Sequence, residues 1–453
     1  MILRTFSSIV LACLSLSAYT QQSEKNISKN FHSWAPTPPM GWNSWDCFGP
    51  TVTEAEVRAN ADYMAKHLKR FGWEYIVVDI RWYVSNDKAH GYNEKDPQFN
   101  IDEYGRFQPA VNRFPSAAGG KGFKPLGDYL HSKKLKFGIH IMRGVPVIAV
   151  KQSLPIKGSN ATAKDIYSEA DQCKWLKDMY TIVPTAAGAQ EYYNSIFELY
   201  ASWGVDFVKV DDLSSPIYFK EEVEMIRKAI DRCGRKMVLS TSPGETPIDA
   251  ASHVQKNANM WRTVGDFWDN WKQLNEHFEV FVKWNKWRSY GAYPDGDMLP
   301  LGRIGIRAER GNPRMANFTK DEQYTLMSLW CIFKSPLMFG GNLPDNDSFT
   351  LSLLTNKNVL DVLNKSTNNA PLFNTDDRAA WIADQQGTNS KYLAVFNKLG
   401  TTLTIPISLK ELGFSSCQII DLWSGVTLGK YTGEFAPSIN PHGAGLYRMV
   451  PVK

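Results

Sequence analysis

From Pro38 onward, short apolar runs alternate along the chain with stretches whose apolar residues recur at helical spacing. The runs are 39–45, 75–82, 136–142, 205–212, 237–243, 259–267, 297–302 and 336–341. Their apolar residues are continuous rather than alternating with polar ones, which suits strands covered on both faces, as in a parallel sheet. Between them the spacing predicts helices over 53–71, 124–134, 189–203, 221–233 and 320–333. Thr51 or Thr53 is a candidate cap for the first, and Pro125 fits the first turn of the second. Eight buried strands alternating with helices predict an α/β fold, a (β/α)8 TIM barrel.

The texture changes after about residue 366. Strand-like segments at 379–385, 391–397, 403–407, 417–422 and 445–450 are separated by Asn, Gly and Ser turns. They predict a small C-terminal antiparallel β-sandwich domain. The division expected is a catalytic barrel over 36–366 and the β domain over 367–453, preceded by a flexible polar lead-in at 21–35. Trp381, Trp423 and Tyr447 in the β domain read as core residues or as a separate sugar-binding face, with the core favoured.

Residues 1–20 stand apart. Arg4 is followed by an apolar run from Phe6 to Ala18 and then by Gln21 and Gln22, the pattern of a signal peptide. Export to a periplasmic or extracellular location is expected. A lipid anchor at Cys13 is the less favoured alternative, because Leu11 fits the lipoprotein cleavage pattern poorly. No later segment offers the roughly 18 uninterrupted apolar residues of a membrane span. The five later cysteines, Cys47, Cys173, Cys233, Cys331 and Cys417, are scattered and lack metal-site spacing, so they are expected to pack as small apolar groups.

Composition changes this picture in one respect. A formal net charge of +5 over 453 residues gives no sign of a nucleic-acid partner. The aromatic count is high, with 15 Trp, 19 Tyr and 23 Phe. Sugars present apolar C–H faces that stack on such rings, although large barrels also use Trp as core.

In a barrel of this type the chemistry gathers at the carboxyl ends of the strands. Polar residues occur at nearly every one: Trp45 with Asp46, Asp79 with Arg81, His140 with Arg143, Lys209 with Asp211 and Asp212, Ser240 with Ser242, Arg262 with Asp266, and Asp295 with Asp297. Converging charges at one rim favour a pocket for a polar substrate over a set of turn residues. Asp211, at the tip of Phe207-Val208-Lys209-Val210, is placed as a nucleophile, with Lys209 on the same face to keep it ionised. Asp266 supplies the second carboxyl group of a glycosidase pair. A separation of about 5–5.5 Å would give retention and a wider gap inversion. The chain has no G-x-S-x-G elbow, no HExxH and no Gly-rich phosphate loop. Neither a metal nor a cofactor is expected; Asp295-Gly296-Asp297 as a cation site is a minor alternative.

These residues resemble glycoside hydrolase family 27, the α-galactosidase and α-N-acetylgalactosaminidase family. The resemblance rests on Pro39-Met40-Gly41-Trp42-Asn43-Ser44-Trp45, on Tyr75-Ile76-Val77-Val78-Asp79 with Trp82, and on Gly105-Arg106-Phe107-Gln108. It continues through Arg113-Phe114-Pro115, Lys136-Phe137-Gly138-Ile139, Lys209-Val210-Asp211, Trp261-Arg262 with Asp266, Pro294-Asp295-Gly296-Asp297-Met298-Leu299 and Ser335-Pro336-Leu337. It implies a retaining double displacement with Asp211 as nucleophile and Asp266 as acid and then base. It also implies a sugar subsite lined by Trp45, Asp79, Lys209, Arg262 and Asp297, and a carbohydrate substrate as partner. Oligomeric state is not legible.

The departures from the family pattern bear on the sugar. Ile80 replaces the second carboxylate of an Asp-Asp pair that grips the 4- and 6-hydroxyls, with Arg81 as a candidate to compensate. His140 replaces a tyrosine, and Leu213 and Arg81 stand where half-cystines occur. Ser242 replaces a glutamate that excludes a 2-acetamido group, although Glu245 could fill that space. His140 and Ser242 are therefore further candidates for substrate binding. The leading expectation is release of terminal α-linked galactose from oligo- or polysaccharides. The alternatives are α-N-acetylgalactosamine, β-L-arabinopyranose or an α-glucan by the same chemistry, or a catalytically weak carbohydrate-binding barrel.

Overall fold

The structure, a computed structural model, describes residues 31–452; the expected signal peptide and Cys13 lie outside the described residues. Eight parallel strands form the central sheet: β1 (Met40–Asn43), β2 (Tyr75–Val78), β3 (Lys136–Met142), β4 (Phe207–Asp211), β5 (Val238–Thr241), β6 (Met260–Arg262), β7 (Tyr293–Asp295) and β8 (Leu337–Phe339). Their order is β7-β6-β5-β4-β3-β2-β1-β8, so β1 to β7 follow one another in space as in sequence and β8 closes back on the first strand. Helices on the outside are α1 (Glu54–Tyr63), α2 (Lys124–Ser132), α3 (Ala189–Trp203), α4 (Lys220–Arg232), α5 (Ala251–Asn257), α6 (Trp271–Trp284) and α7 (Lys320–Phe333). This is a TIM barrel. Thr53 caps α1 in a reciprocal box with Glu56.

The seventh strand differs from the expected 297–302 run. It is Tyr293–Asp295, with Pro294 at its centre, a residue that ordinarily argues against a strand. Pro294 is tolerated because the bonds to β6 fall on its neighbours. The Tyr293 N–H donates to the Asn259 carbonyl and the Thr263 N–H to the Asp295 carbonyl, which leaves the missing Pro N–H on the side away from β6. Asp297 then takes a left-handed conformation (φ 79°) and ends the strand. The 297–302 stretch still serves the barrel: the Leu299 N–H donates to the Met338 carbonyl and the Gly340 N–H to the Leu299 carbonyl, closing the gap between β7 and β8.

Four longer helices beyond the five expected complete the ring: α5, α6 and, after β8, Ser348–Thr355 and Lys357–Lys365. The seven-residue α5 is too short to give a strong periodic signal. In α6, β-branched and aromatic residues weaken intrinsic propensity, and burial of Leu274, Phe278, Phe281 and Trp284 decides the conformation. Residues 31–35, expected in the flexible lead-in, are packed: Phe31, Trp34 and Ala35 are buried, and the Arg227 guanidinium lies over the Phe31 and Trp34 rings at 4.6 and 5.0 Å.

After the barrel, a six-stranded antiparallel sheet is formed by β9 (Ser366–Asn374), β10 (Arg378–Gln385), β11 (Lys391–Asn397), β12 (Ser416–Asp421), β13 (Thr427–Thr432) and β14 (Ala444–Pro451), in the order β9-β10-β11-β14-β12-β13. Two short strand pairs, 403–404 with 438–439 and 407–408 with 434–435, cover its outer face and make the sandwich. The alternation of side chains divides the two faces. Ala379, Trp381 and Ala383 of β10, with Tyr392, Ala394 and Phe396 of β11, join the barrel core, whereas Ala380, Leu393 and Val395 join the sandwich core. Trp381 is fully buried on the barrel side and Tyr447 is buried in the sandwich. Trp423 donates its indole N–H to Ser328 Oγ on α7 at 3.0 Å. Among the described cysteines none is paired, and all but Cys233 are buried.

Candidate active site

A cavity of about 660 Å³ opens at the carboxyl ends of the barrel strands. Trp45, Asp79, Lys209, Asp211, Ser242, Arg262, Asp266 and Asp297 line it. Eight of the nine expected site residues, carried on six different strands or the turns after them, thus face one space. His140 is the exception.

His140 is fully buried behind the wall, and its Nε2 donates to Asp211 Oδ2 at 2.9 Å. The register explains this. His140 on β3 pairs with Lys209 on β4, so Asp211, two residues on, is its diagonal neighbour on the same face. The expected substrate-binding role of His140 is therefore corrected: it holds a carboxylate instead of lining the cavity. Lys209 does line the cavity, and its charge acts on Asp211 as expected. Its Nζ donates to Asp79 Oδ2 at 3.0 Å, so its ion-pair partner is Asp79. Asn43 Nδ2 donates to the same oxygen at 2.7 Å.

Asp211 is buried, which by itself would raise its pKa. The hydrogen bond and charge of His140, the charge of Lys209 and the donated Asp212 N–H outweigh that and hold the carboxyl well below the usual carboxylate range. Burial also opposes ionisation of Asp79, but Lys209, His140 and the Asn43 amide lower it below its ordinary value. In Lys209, burial is outweighed by Asp79 and Asp211, and the ammonium is stabilised. Asp212 adopts φ 62°, a left-handed turn that ends β4 immediately beyond Asp211.

Asp266 is in different surroundings. Its side chain is 47% exposed at the mouth, with one ion pair, Arg262 Nη2 to Oδ1 at 3.3 Å. Arg262 fixes the loop that carries it: Nη2 also donates to the Gly265 carbonyl at 2.6 Å, and Nη1 pairs with Asp297 Oδ1 at 2.8 Å. Asp297 Oδ2 in turn accepts the Phe267 N–H at 2.8 Å. The two aspartates are thus one buried and ionised, the other open to water and anchored through an arginine.

Two candidates for reshaping the sugar subsite point elsewhere. Arg81 is 1% exposed and does not line the cavity; its guanidinium grips Asp178 through Nε (2.8 Å) and Nη2 (2.7 Å) and donates to the Asn93 carbonyl at 3.0 Å. It leaves the position beside Asp79 to Ile80, which lines the cavity. Glu245 is 61% exposed and faces Lys283 at 3.7 Å, so Ser242, Pro243 and Gly244 form that wall without it. The sequence reading missed Tyr92, Trp175, Trp268, Glu309 and Arg310, which complete the mouth from loops. Loop residues carry no periodic signal, and only their aromatic character sets two or three of them apart.

A family model described as Alpha galactosidase A matches residues 153–365, and one described as Alpha galactosidase C-terminal beta sandwich domain matches 375–449. The crystal structure of a family GH27 β-L-arabinopyranosidase from Geobacillus stearothermophilus is 51% identical, covers 93% of this chain and 98% of its own, and superposes with a TM-score of 0.91. The chain belongs to glycoside hydrolase family 27. A variant of the same Geobacillus enzyme in complex with arabinose is 50% identical over 94% of this chain and 99% of its own, with a TM-score of 0.92. The α-galactosidase of Coffea arabica is 29% identical over 92% of this chain and 94% of its own length. That of Cyamopsis tetragonoloba is 28% identical over 92% and 86%. This family-27 protein is a retaining glycosidase that hydrolyses O-glycosyl bonds. Asp211, at the end of β4, and Asp266, beyond the end of β6, line the same cavity.

Proposed function

We propose that the chain releases a terminal galacto-configured pyranose, α-D-galactose or its pentose counterpart β-L-arabinopyranose, from oligo- or polysaccharides. In this reading the Asp211 carboxylate attacks the anomeric carbon, the glycosidic C–O bond breaks, and the Asp266 carboxyl gives its proton to the departing oxygen. Water then attacks the glycosyl ester, Asp266 takes back a proton, and Asp211 leaves as a carboxylate. The observation that carries the assignment is the asymmetry of the pair: Asp211 is locked ionised by His140 and Lys209, while Asp266 stands at the mouth where leaving group and water pass. Trp45, Asp79, Lys209, Arg262 and Asp297 hold the sugar, and Ser242 borders it.

Ile80 tips the preference toward the pentose. β-L-Arabinopyranose has the ring configuration of α-D-galactopyranose without the hydroxymethyl group. A wall with Asp79 followed by an apolar side chain keeps one carboxylate and offers nothing to the absent hydroxyl. The Geobacillus structures support this reading, the plant α-galactosidases the galactose activity of the same pocket. Export, supported by the charged and apolar residues 1–20, is part of the proposal.

The test is a panel of nitrophenyl glycosides with the wild type and Ile80→Asp. The wild type is expected to prefer β-L-arabinopyranoside over α-galactoside in kcat/KM. The substitution is expected to move that ratio toward galactoside by about 10- to 100-fold. Turnover of neither sugar, with hydrolysis of an α-glucoside or α-N-acetylgalactosaminide instead, would overturn the proposal.

A further inference from the structure

An exo-acting pocket closes over its terminal sugar, so the rest of the substrate must leave by the mouth. One wall of that mouth is a row of aromatic rings. Trp45 lies 5.9 Å from Tyr92 with the planes 25° apart, and Tyr92 lies 6.2 Å from Trp175 with the planes 31° apart. All three line the cavity, and the row runs from the floor near Asp79 outward to Trp175, which is 38% exposed.

Trp175 is exposed on a pinned loop and not on a loose tip. Cys173 and Asp178 are 2–3% exposed on either side of it, and Leu176 is fully buried. Tyr92 is fixed by the same hub. Arg81, beneath both loops, binds Asp178 with two nitrogens, the Asn93 carbonyl and Asp87 with a third, and lies 5.4 Å from the Tyr92 ring centre. The Asn93 N–H donates to Asp87 at 2.8 Å. A buried arginine thus ties together the two loops that bring Tyr92 and Trp175 to one opening. Trp268, with Arg310 over its ring at 6.0 Å, and the carboxylate of Glu309 also line the cavity and add polar groups.

We propose that Trp175, held against Tyr92, forms an acceptor subsite on which the sugar ring next to the scissile bond stacks by its C–H face. The natural substrate is then a branched or terminally substituted oligo- or polysaccharide rather than a small glycoside. The subsite rests on the glycosidase reading above and deepens it.

The experiment compares two leaving groups. Glycosyl fluorides of β-L-arabinopyranose and α-D-galactose lose a single atom and cannot occupy the platform; trisaccharides ending in the same sugars can. The ratio of kcat/KM for trisaccharide over fluoride is expected to fall at least 10-fold in Trp175→Ala, mainly through KM, and to be largely kept in Trp175→Phe. Fluoride turnover by each variant certifies its fold. A ratio unchanged in Trp175→Ala, or lowered as much by Trp175→Phe, overturns the platform while leaving the glycosidase reading intact. A wild type inert toward both fluorides overturns the galacto-configured reading and the platform with it.

Discussion

Asp295 lies buried at the end of β7, one residue before the packed Gly296, with its Oδ1 accepting the Asp297 N–H at 2.9 Å. Burial, with the charge of Asp297 added, pushes its carboxyl up to about 7 despite the nearby Arg262. The folded value is above the roughly 3.9 of an unfolded chain, so the fold favours the neutral form. That contribution is fully present below about pH 4 and is lost as the pH rises through 7. Asp295→Asn keeps the acceptor and removes the ionisation. Its stability relative to the wild type should therefore grow by up to about 1.4 kcal/mol per pH unit between pH 4 and 7 and level off above. Urea denaturation at four pH values measures this, and a difference independent of pH would contradict it. At this scale much was legible in the sequence: eight strand-end residues do line one cavity. What escaped was partnership. Lys209 and Asp211 share a face by alternation, but only the registers of β2 with β3 and of β3 with β4 decide that Lys209 takes Asp79 and Asp211 takes His140.

At the scale of elements, continuous apolar runs located seven of the eight barrel strands, because both faces of each are covered. The seventh was displaced by Pro294, whose effect depends on which side of the strand its absent N–H falls. The long loops after β2 and β3 were silent for a related reason: their order comes from Arg81, not from their own sequence. Arg81 looked like a pocket residue from its position beside Ile80, and no local pattern shows that Asp178, nearly a hundred residues on, is its partner. Removing it should loosen both loops together. In Arg81→Met, hydrogen exchange over 87–95 and 172–178 is expected to rise at least 10-fold, since Asp178 loses its cation in a buried setting, whereas β3 and β4 stay protected. Unchanged exchange in both segments would refute the clamp.

Across the whole molecule, the β domain presents one face of β10 and β11 to the barrel, and α7, which precedes β8, carries the contact through Ser328 and Thr325. The barrel is thus supported from outside by elements that contribute nothing to the cavity lining. Eight strands, each too short to hold a site alone, converge so that a buried carboxylate from β4 and an exposed one from beyond β6 share one opening. The central claim is that these two carboxylates have different roles. It is tested most directly by azide rescue of the alanine variants on an activated aryl glycoside, with the anomeric configuration of the product read by NMR. Asp211→Ala should regain turnover as a glycosyl azide of inverted configuration, and Asp266→Ala as a glycosyl azide of retained configuration. Inverted product from Asp266→Ala, or retained product from Asp211→Ala, would contradict the assignment.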